Sequence, residues 1–130
     1  MEKPHKKLDV WKAAMKVAQK TYQLTKTFPE EEKFGLVSQM RRAAVSIPCN
    51  IAEGAARQGK REFKNFLSIA QGSLSELDTQ FELAVLLGFL SDEKMNEITE
   101  QLKRIDMMLS GLIRSLMKKS ENGRFKSTHD

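Results

Sequence analysis

The stretch from Ser46 to Phe63, SIPCNIAEGAARQGKREF, decides how this chain folds. It sets a proline inside an apolar pattern, then a lone cysteine, an asparagine, a glutamate, two glycines and a knot of positive charge. Pro48 has no backbone N–H for the Ala44 carbonyl and its ring crowds that oxygen, so a helix arriving here kinks or stops. Gly54 and Gly59 permit a reversal. The stretch therefore reads as a corner that ends one helix and opens the next with a basic cluster.

Helical periodicity surrounds this corner on both sides. Upstream, Phe34, Val37, Met40, Ala44 and Ile47 point inward from a helix starting close to Pro29, with Glu30, Glu31 and Glu32 at the positive end of its macrodipole. Before it, Trp11, Ala14, Met15, Ala18 and Tyr22 lay one apolar stripe along a helix from Asp9, a suitable N-cap, to near Thr27. Downstream, Lys60 to Leu90 holds no proline, and Phe63, Phe66, Leu67, Ala70, Leu74, Leu77, Phe81, Ala84 and Leu87 sustain a third helix of roughly 45 Å. Ser91 caps a fourth, with Asp92 and Glu93 in its first turn and Met95, Ile98, Leu102, Ile105, Leu109, Leu112 and Leu116 along one side.

No strand pattern competes. Four amphipathic helices with short connections predict an all-α, antiparallel up-down-up-down four-helix bundle over residues 1–119. Residues 120–130 are polar and read as a disordered tail. The run from Phe81 to Leu90 is apolar nearly all round, so a face including some of Leu83, Leu86 and Leu90 is expected to pack against another subunit.

With 130 residues, the chain has room for one domain with its own core. Its net charge of +5 and pI near 9.4 favour anionic partners such as nucleic acid. The single cysteine excludes an internal disulfide framework. Lysines interrupt every apolar run in MEKPHKKLDVWKAAMKVAQ, so neither a signal-peptide core nor a membrane span is read there, and a cytoplasmic location is expected.

The chemical motifs weaken on inspection. Gly54 to Arg61, GAARQGKR, lacks only the last residue of the phosphate-binding loop G-x-x-x-x-G-K followed by Ser or Thr, but that hydroxyl holds the magnesium and Arg61 has none to offer. The loop should also leave a strand, and here a helix precedes it. Pro48-Cys49 resembles half of a deaminase zinc motif, but Ala52 stands where the second cysteine belongs. His5 and His129 lie near the termini, outside any zinc pattern, and no Glu-x-x-His di-iron pair exists. Cys49 lacks a histidine to activate it and reads as a small packing residue. Asn50 and Glu53 suit the backbone groups that a proline leaves unpaired. The methionines mostly fall on core-facing positions. No enzyme activity, metal or cofactor is expected.

Charge is more informative. An antiparallel bundle gathers residues 1–16, 49–66 and 111–130 at one end, where 14 Lys and Arg meet 6 Asp and Glu, while the rest of the chain holds 8 against 11. Arg57, Lys60, Arg61 and Lys64 crowd a helix N-terminus, where each exposed positive charge opposes the macrodipole at a cost of about 0.3 to 1 kcal/mol. Arg114, Lys118 and Lys119 close the fourth helix in agreement with the dipole. These seven residues are the candidate nucleic-acid contacts, for salt-dependent, largely sequence-independent binding of RNA or structured DNA. A solvated face, or a scaffold for an acidic protein partner, is the competing interpretation. No aromatics alternate with the lysines, so single-strand stacking is not expected.

The segments FGLVSQMRRAAVSIP (Phe34 to Pro48) and NIAEG (Asn50 to Gly54) resemble the signature of the bacterial four-helix-bundle family named for 23S rRNA intervening-sequence proteins. The similarity continues through Arg61-Glu62-Phe63, Phe66-Leu67, Ala70, Gly72-Ser73-Leu74 and Glu76-Leu77. Cys49 stands where such proteins usually carry an aliphatic residue. The resemblance implies a left-handed bundle assembled as a homopentamer, without catalytic residues. It also implies a fold similar to the accessory variability protein of diversity-generating retroelements, which binds nucleic acid and a reverse transcriptase. By that resemblance the partners are further copies of the chain, nucleic acid, and a reverse transcriptase if the setting is a retroelement, with no membrane.

Overall fold

The computed structural model describes residues 3–129, with side chains through Lys118. Four helices, α1 (Asp9–Thr25), α2 (Leu36–Ala55), α3 (Lys60–Leu86) and α4 (Asp92–His129), are accompanied by 3-10 turns at Pro4–Lys7 and Glu30–Glu32, and the described residues contain no strand. Each helix packs on two neighbours: α2 lies on α1 and α3, and α4 on α3 and α1. The α4 backbone takes in the polar segment from Ser120, whose side chains lie outside the described residues.

The core is the seam where the four apolar faces meet. Met40, Ile47, Ile51, Leu67, Leu77, Phe81, Ile98, Ile105 and Leu109 are fully enclosed. Each large apolar side chain removed from water in this way contributes about 1.5 to 3 kcal/mol. On α4 the expected stripe is buried from Met95 to Leu109 and partly buried at Leu112 and Leu116, and Ser91 caps the helix by accepting the Lys94 N–H at 3.2 Å.

Elsewhere the sequence expectations need correcting, each for a definable reason. On α1 the buried face is Val10, Ala14, Val17, Thr21 and Leu24, while Met15 and Tyr22 are exposed. Two polar residues disguise this face. Thr21 Oγ1 donates to the Val17 carbonyl at 2.8 Å and Thr25 Oγ1 to that of Thr21 at 2.7 Å, so both hydroxyls are satisfied within the helix and both residues lie in the interior.

At the next corner Glu30–Glu32 form a 3-10 turn, and α2 begins only at Leu36. Phe34 precedes the helix, loses its register and is 90% exposed rather than inward. Glu32 still serves the helix start, since its carboxylate accepts the Leu36 N–H at 3.2 Å.

Pro48 neither ends nor marks the corner: α2 continues seven residues beyond it. Gly54 is likewise not a turn residue. It lies inside α2, and a Cβ there would meet Phe66 Cβ at 2.8 Å, Phe63 Cδ1 at 3.0 Å and the Phe63 carbonyl at 3.2 Å. Close contact between α2 and α3 is its purpose.

Helix α3 stops at Leu86, so its 27 residues span roughly 40 Å. The stop is a Schellman motif: Gly88 takes φ of 80°, its N–H reaches the Val85 carbonyl, and the Phe89 N–H reaches that of Ala84 at 2.9 Å. Leu90 is consequently buried in its own core, while Leu83, Leu86 and Leu87 remain exposed. Among the methionines, Met40 and Met95 are buried, whereas Met15, Met107 and Met117 are exposed, contrary to the core positions expected of most of them.

Gly-to-Ala changes inside helices ordinarily stabilise by up to about 1 kcal/mol. Gly54→Ala is expected to do the reverse, lowering unfolding free energy by about 1 to 3 kcal/mol in urea titrations. Gly72→Ala, with nothing within 4 Å of the added Cβ, is the control and should raise it.

Candidate nucleic-acid interface

The proposed basic end is built around the junction of α2 and α3. Ser46 on α2 and Ser73 on α3 share a hydrogen bond of 2.8 Å, and the Asn50 side-chain N–H groups donate to the Ser46 carbonyl at 2.8 Å and hydroxyl at 2.9 Å. Asn50 thus fastens the turn that contains Pro48 and, through Ser46, fastens α2 to α3. Its role is local, but the carbonyl it serves is that of Ser46 and not the Ala44 carbonyl that Pro48 leaves without a donor. Together with the Gly54 contact, this pairing fixes where α3 begins.

The first turn of α3 has no side-chain cap: Gly59 is the N-cap, and its carbonyl accepts the Phe63 N–H at 3.1 Å. Lys60 and Arg61 are exposed there and Lys64 is half-buried one turn later. Uncapped N–H groups and cationic side chains together favour an anion.

Arg57 differs from these three. Its Nη2 donates to Glu53 Oε1 at 2.6 Å, its Nε lies 3.9 Å from Glu62 Oε2, and its guanidinium sits 5.1 Å from the Phe66 ring centroid. Arg57 is held by its own surroundings. Among the described residues it makes every ion pair there is, so Lys60, Arg61, Lys64, Arg114 and Lys118 have no carboxylate of a described residue within 4.0 Å.

The other chain segments reach the same end. Gln71 on α3 donates to Ser110 Oγ on α4 at 2.9 Å, and the short connection over 87–91 turns α4 back along the helix it packs on. Seven residues along each, Lys64 and Met117 stand level, which brings Lys118 and Arg114 beside the start of α3. The side chain of Lys119 lies outside the described residues. From the other terminus, the Pro4–Lys7 turn packs on α2 and α1, and His5 meets Trp11 edge-on with ring centroids 5.0 Å apart. Lys3, Lys6 and Lys7 are exposed on that turn.

The same side of the molecule carries an apolar groove between α1 and α2, lined by Trp11, Met15, Pro48 and Cys49. Cys49 is exposed there rather than buried. Among the described residues no group of three or more His, Cys, Asp or Glu gathers, and no helix is long and apolar enough to cross a membrane.

Against known proteins, the profile of the family described as 23S rRNA-intervening sequence protein matches residues 6–111. The chain belongs to that family. A 1.70 Å crystal structure of a protein of unknown function from the S23 ribosomal protein family of Bacteroides thetaiotaomicron is similar, with a TM-score of 0.75 and 26% identity over 81% of this chain and 95% of that one. No curated protein matches. Pro48 and Gly54, both inside α2, lie within the span that matches the 23S rRNA-intervening sequence protein family.

Because Arg57 is tied to Glu53 while Lys60 is not, Arg57→Gln is expected to weaken duplex binding less than Lys60→Gln. Its exposed ion pair is worth no more than about 1 kcal/mol of stability. Binding isotherms and thermal unfolding of the two variants side by side test this, and equal losses of affinity would make Arg57 a phosphate contact in its own right.

Proposed function

We propose that this protein is a non-enzymatic, oligomeric nucleic-acid-binding protein of the cytoplasm, gripping the phosphate backbone of RNA or structured DNA with the basic end of its bundle. The observation that carries this reading is the cluster Lys60, Arg61 and Lys64 at the uncapped start of α3, free of ion-pair partners among the described residues. Like charges held at the wrong end of a helix dipole cost stability, and a bound phosphate reverses the sign of that cost. Arg114 and Lys118 add donors from α4. Backbone contacts of this kind position a nucleic acid without reading its sequence.

Self-assembly belongs to the same proposal. Leu83, Leu86 and Leu87 form an exposed apolar face at the end of α3, with Leu86 84% exposed. A face of that kind suits contact with further copies of the chain, and the family resemblance makes a pentamer the expected count. Several basic ends on one assembly would add their fields and bind one polyanion together.

Two outcomes test these points. Affinity for a short RNA duplex should fall steeply as salt rises, with a log–log slope near −0.9 for each phosphate neutralised. The triple change Lys60→Glu, Arg61→Glu, Lys64→Glu should abolish binding with circular dichroism unchanged. Absence of wild-type binding even at low ionic strength would leave a protein-interaction scaffold instead. Separately, light scattering should give a mass above the monomer, and Leu83→Lys with Leu86→Lys should reduce it. A monomeric wild type at micromolar concentration would remove the assembly from the proposal.

A further inference from the structure

A second cationic surface lies away from the basic end. Arg42 precedes the last residue of α2, Ala55, by about 20 Å of helix. Here an open recess of about 460 Å³ lies between α1 and the start of α2, and its lining includes Tyr22, Phe34, Lys33, Arg41 and Arg42. Three of those side chains are cationic and no carboxylate lines the recess. The nearby glutamates do not enter it: Glu32 faces the Leu36 N–H, and neither Glu30 nor Glu31 is among the lining residues.

Both aromatic rings carry a cation. The Arg41 guanidinium sits 4.5 Å from the Tyr22 ring centroid, held there by Nε donating to Thr25 Oγ1 at 3.0 Å and Nη2 donating to the Tyr22 carbonyl at 3.4 Å. Lys33 Nζ lies 5.6 Å from the centroid of Phe34, which is 90% exposed. A single exposed aromatic is ordinary on a protein surface. Two rings beside three cations that make no ion pair among the described residues form a combination with a chemical meaning, because they match a ligand that joins a flat π-surface to an anion over a short span. An unpaired nucleotide is such a ligand.

We infer that this recess is a stacking site for an unpaired nucleotide of the bound nucleic acid, its base against Phe34 and the Tyr22–Arg41 pair and its phosphate toward Lys33 and Arg42. The inference rests on the nucleic-acid reading above and adds a preference to it. The basic end holds backbones of any form, whereas this recess favours strands with unstacked bases, since a base inside a duplex has no free face to offer. Arg41 arrives preorganised by its two hydrogen bonds, so little side-chain freedom is lost when a base settles on it.

The test compares a non-self-complementary single-stranded RNA with the corresponding duplex by fluorescence anisotropy. Phe34→Ala removes a side chain that is almost wholly in solvent, so folding is preserved and circular dichroism serves as the check. Expected is a loss of about ten-fold in single-strand affinity with duplex affinity unchanged, and recovery in Phe34→Trp. Phe34→Ala binding both forms like wild type overturns the inference while leaving the basic end in place, and so does an equal loss for both forms. A wild type that binds neither form removes both readings. If Phe34→Ala instead weakens binding of a glutamate- and tyrosine-rich peptide but not of the single strand, the recess belongs to an acidic protein segment and the inference fails.

Discussion

The close approach of α2 and α3 at Gly54 is the constraint on which the rest of the molecule depends. With no side chain on one helix, Phe63 and Phe66 of the other lie almost on its backbone, and the two helices are fixed in both separation and register. Ser46, Ser73 and Asn50 repeat the fastening two turns away with hydrogen bonds. Packing of this density leaves little room to slide. The start of α3, with its charge, is therefore held at a defined place beside the end of α2.

That placement explains how a helix can carry Pro48 without ending. The proline removes one backbone hydrogen bond and strains one turn, at a cost of several kcal/mol for a helix in water. Inside the bundle, Ile47 and Ile51 on either side are fully buried, and the Asn50 amide clasps the same turn. Burial and hydrogen bonding together outweigh the defect. A local rule is overridden by tertiary contacts, as propensity arguments allow.

The charged surface divides by the company its side chains keep. Arg57 has two carboxylates and an aromatic ring near it, so its charge is largely absorbed by the corner it belongs to. Lys60, Arg61 and Lys64 have no such company among the described residues and project a field. Arg41 is a third kind, neither ion-paired nor free, fixed on Tyr22 as a rigid plate. A net charge sums these cases without distinguishing them. Their different roles come from what each can reach.

The helical class, the four elements and the stripe of α4 were legible from residue spacing, because an α-helix repeats every 3.6 residues and spacing is a local property. The Ser91 cap was legible for the same reason. What spacing left undecided was which of two adjacent faces of α1 is buried, since Thr21 and Thr25 look polar until their hydroxyls find the preceding carbonyls. It also could not place Phe34, whose apparent phase belongs to a helix that begins two residues later. Nor could it tell the glycine of a turn from the glycine of a contact, or a bound arginine from a free one. The contact of Gly54 with Phe66 and the fixing of Arg41 on Tyr22 depend on atoms distant in sequence and exist only once the chain has closed on itself, whereas the pairing of Arg57 with Glu53 is local but leaves no mark in the spacing that tells it from a free charge.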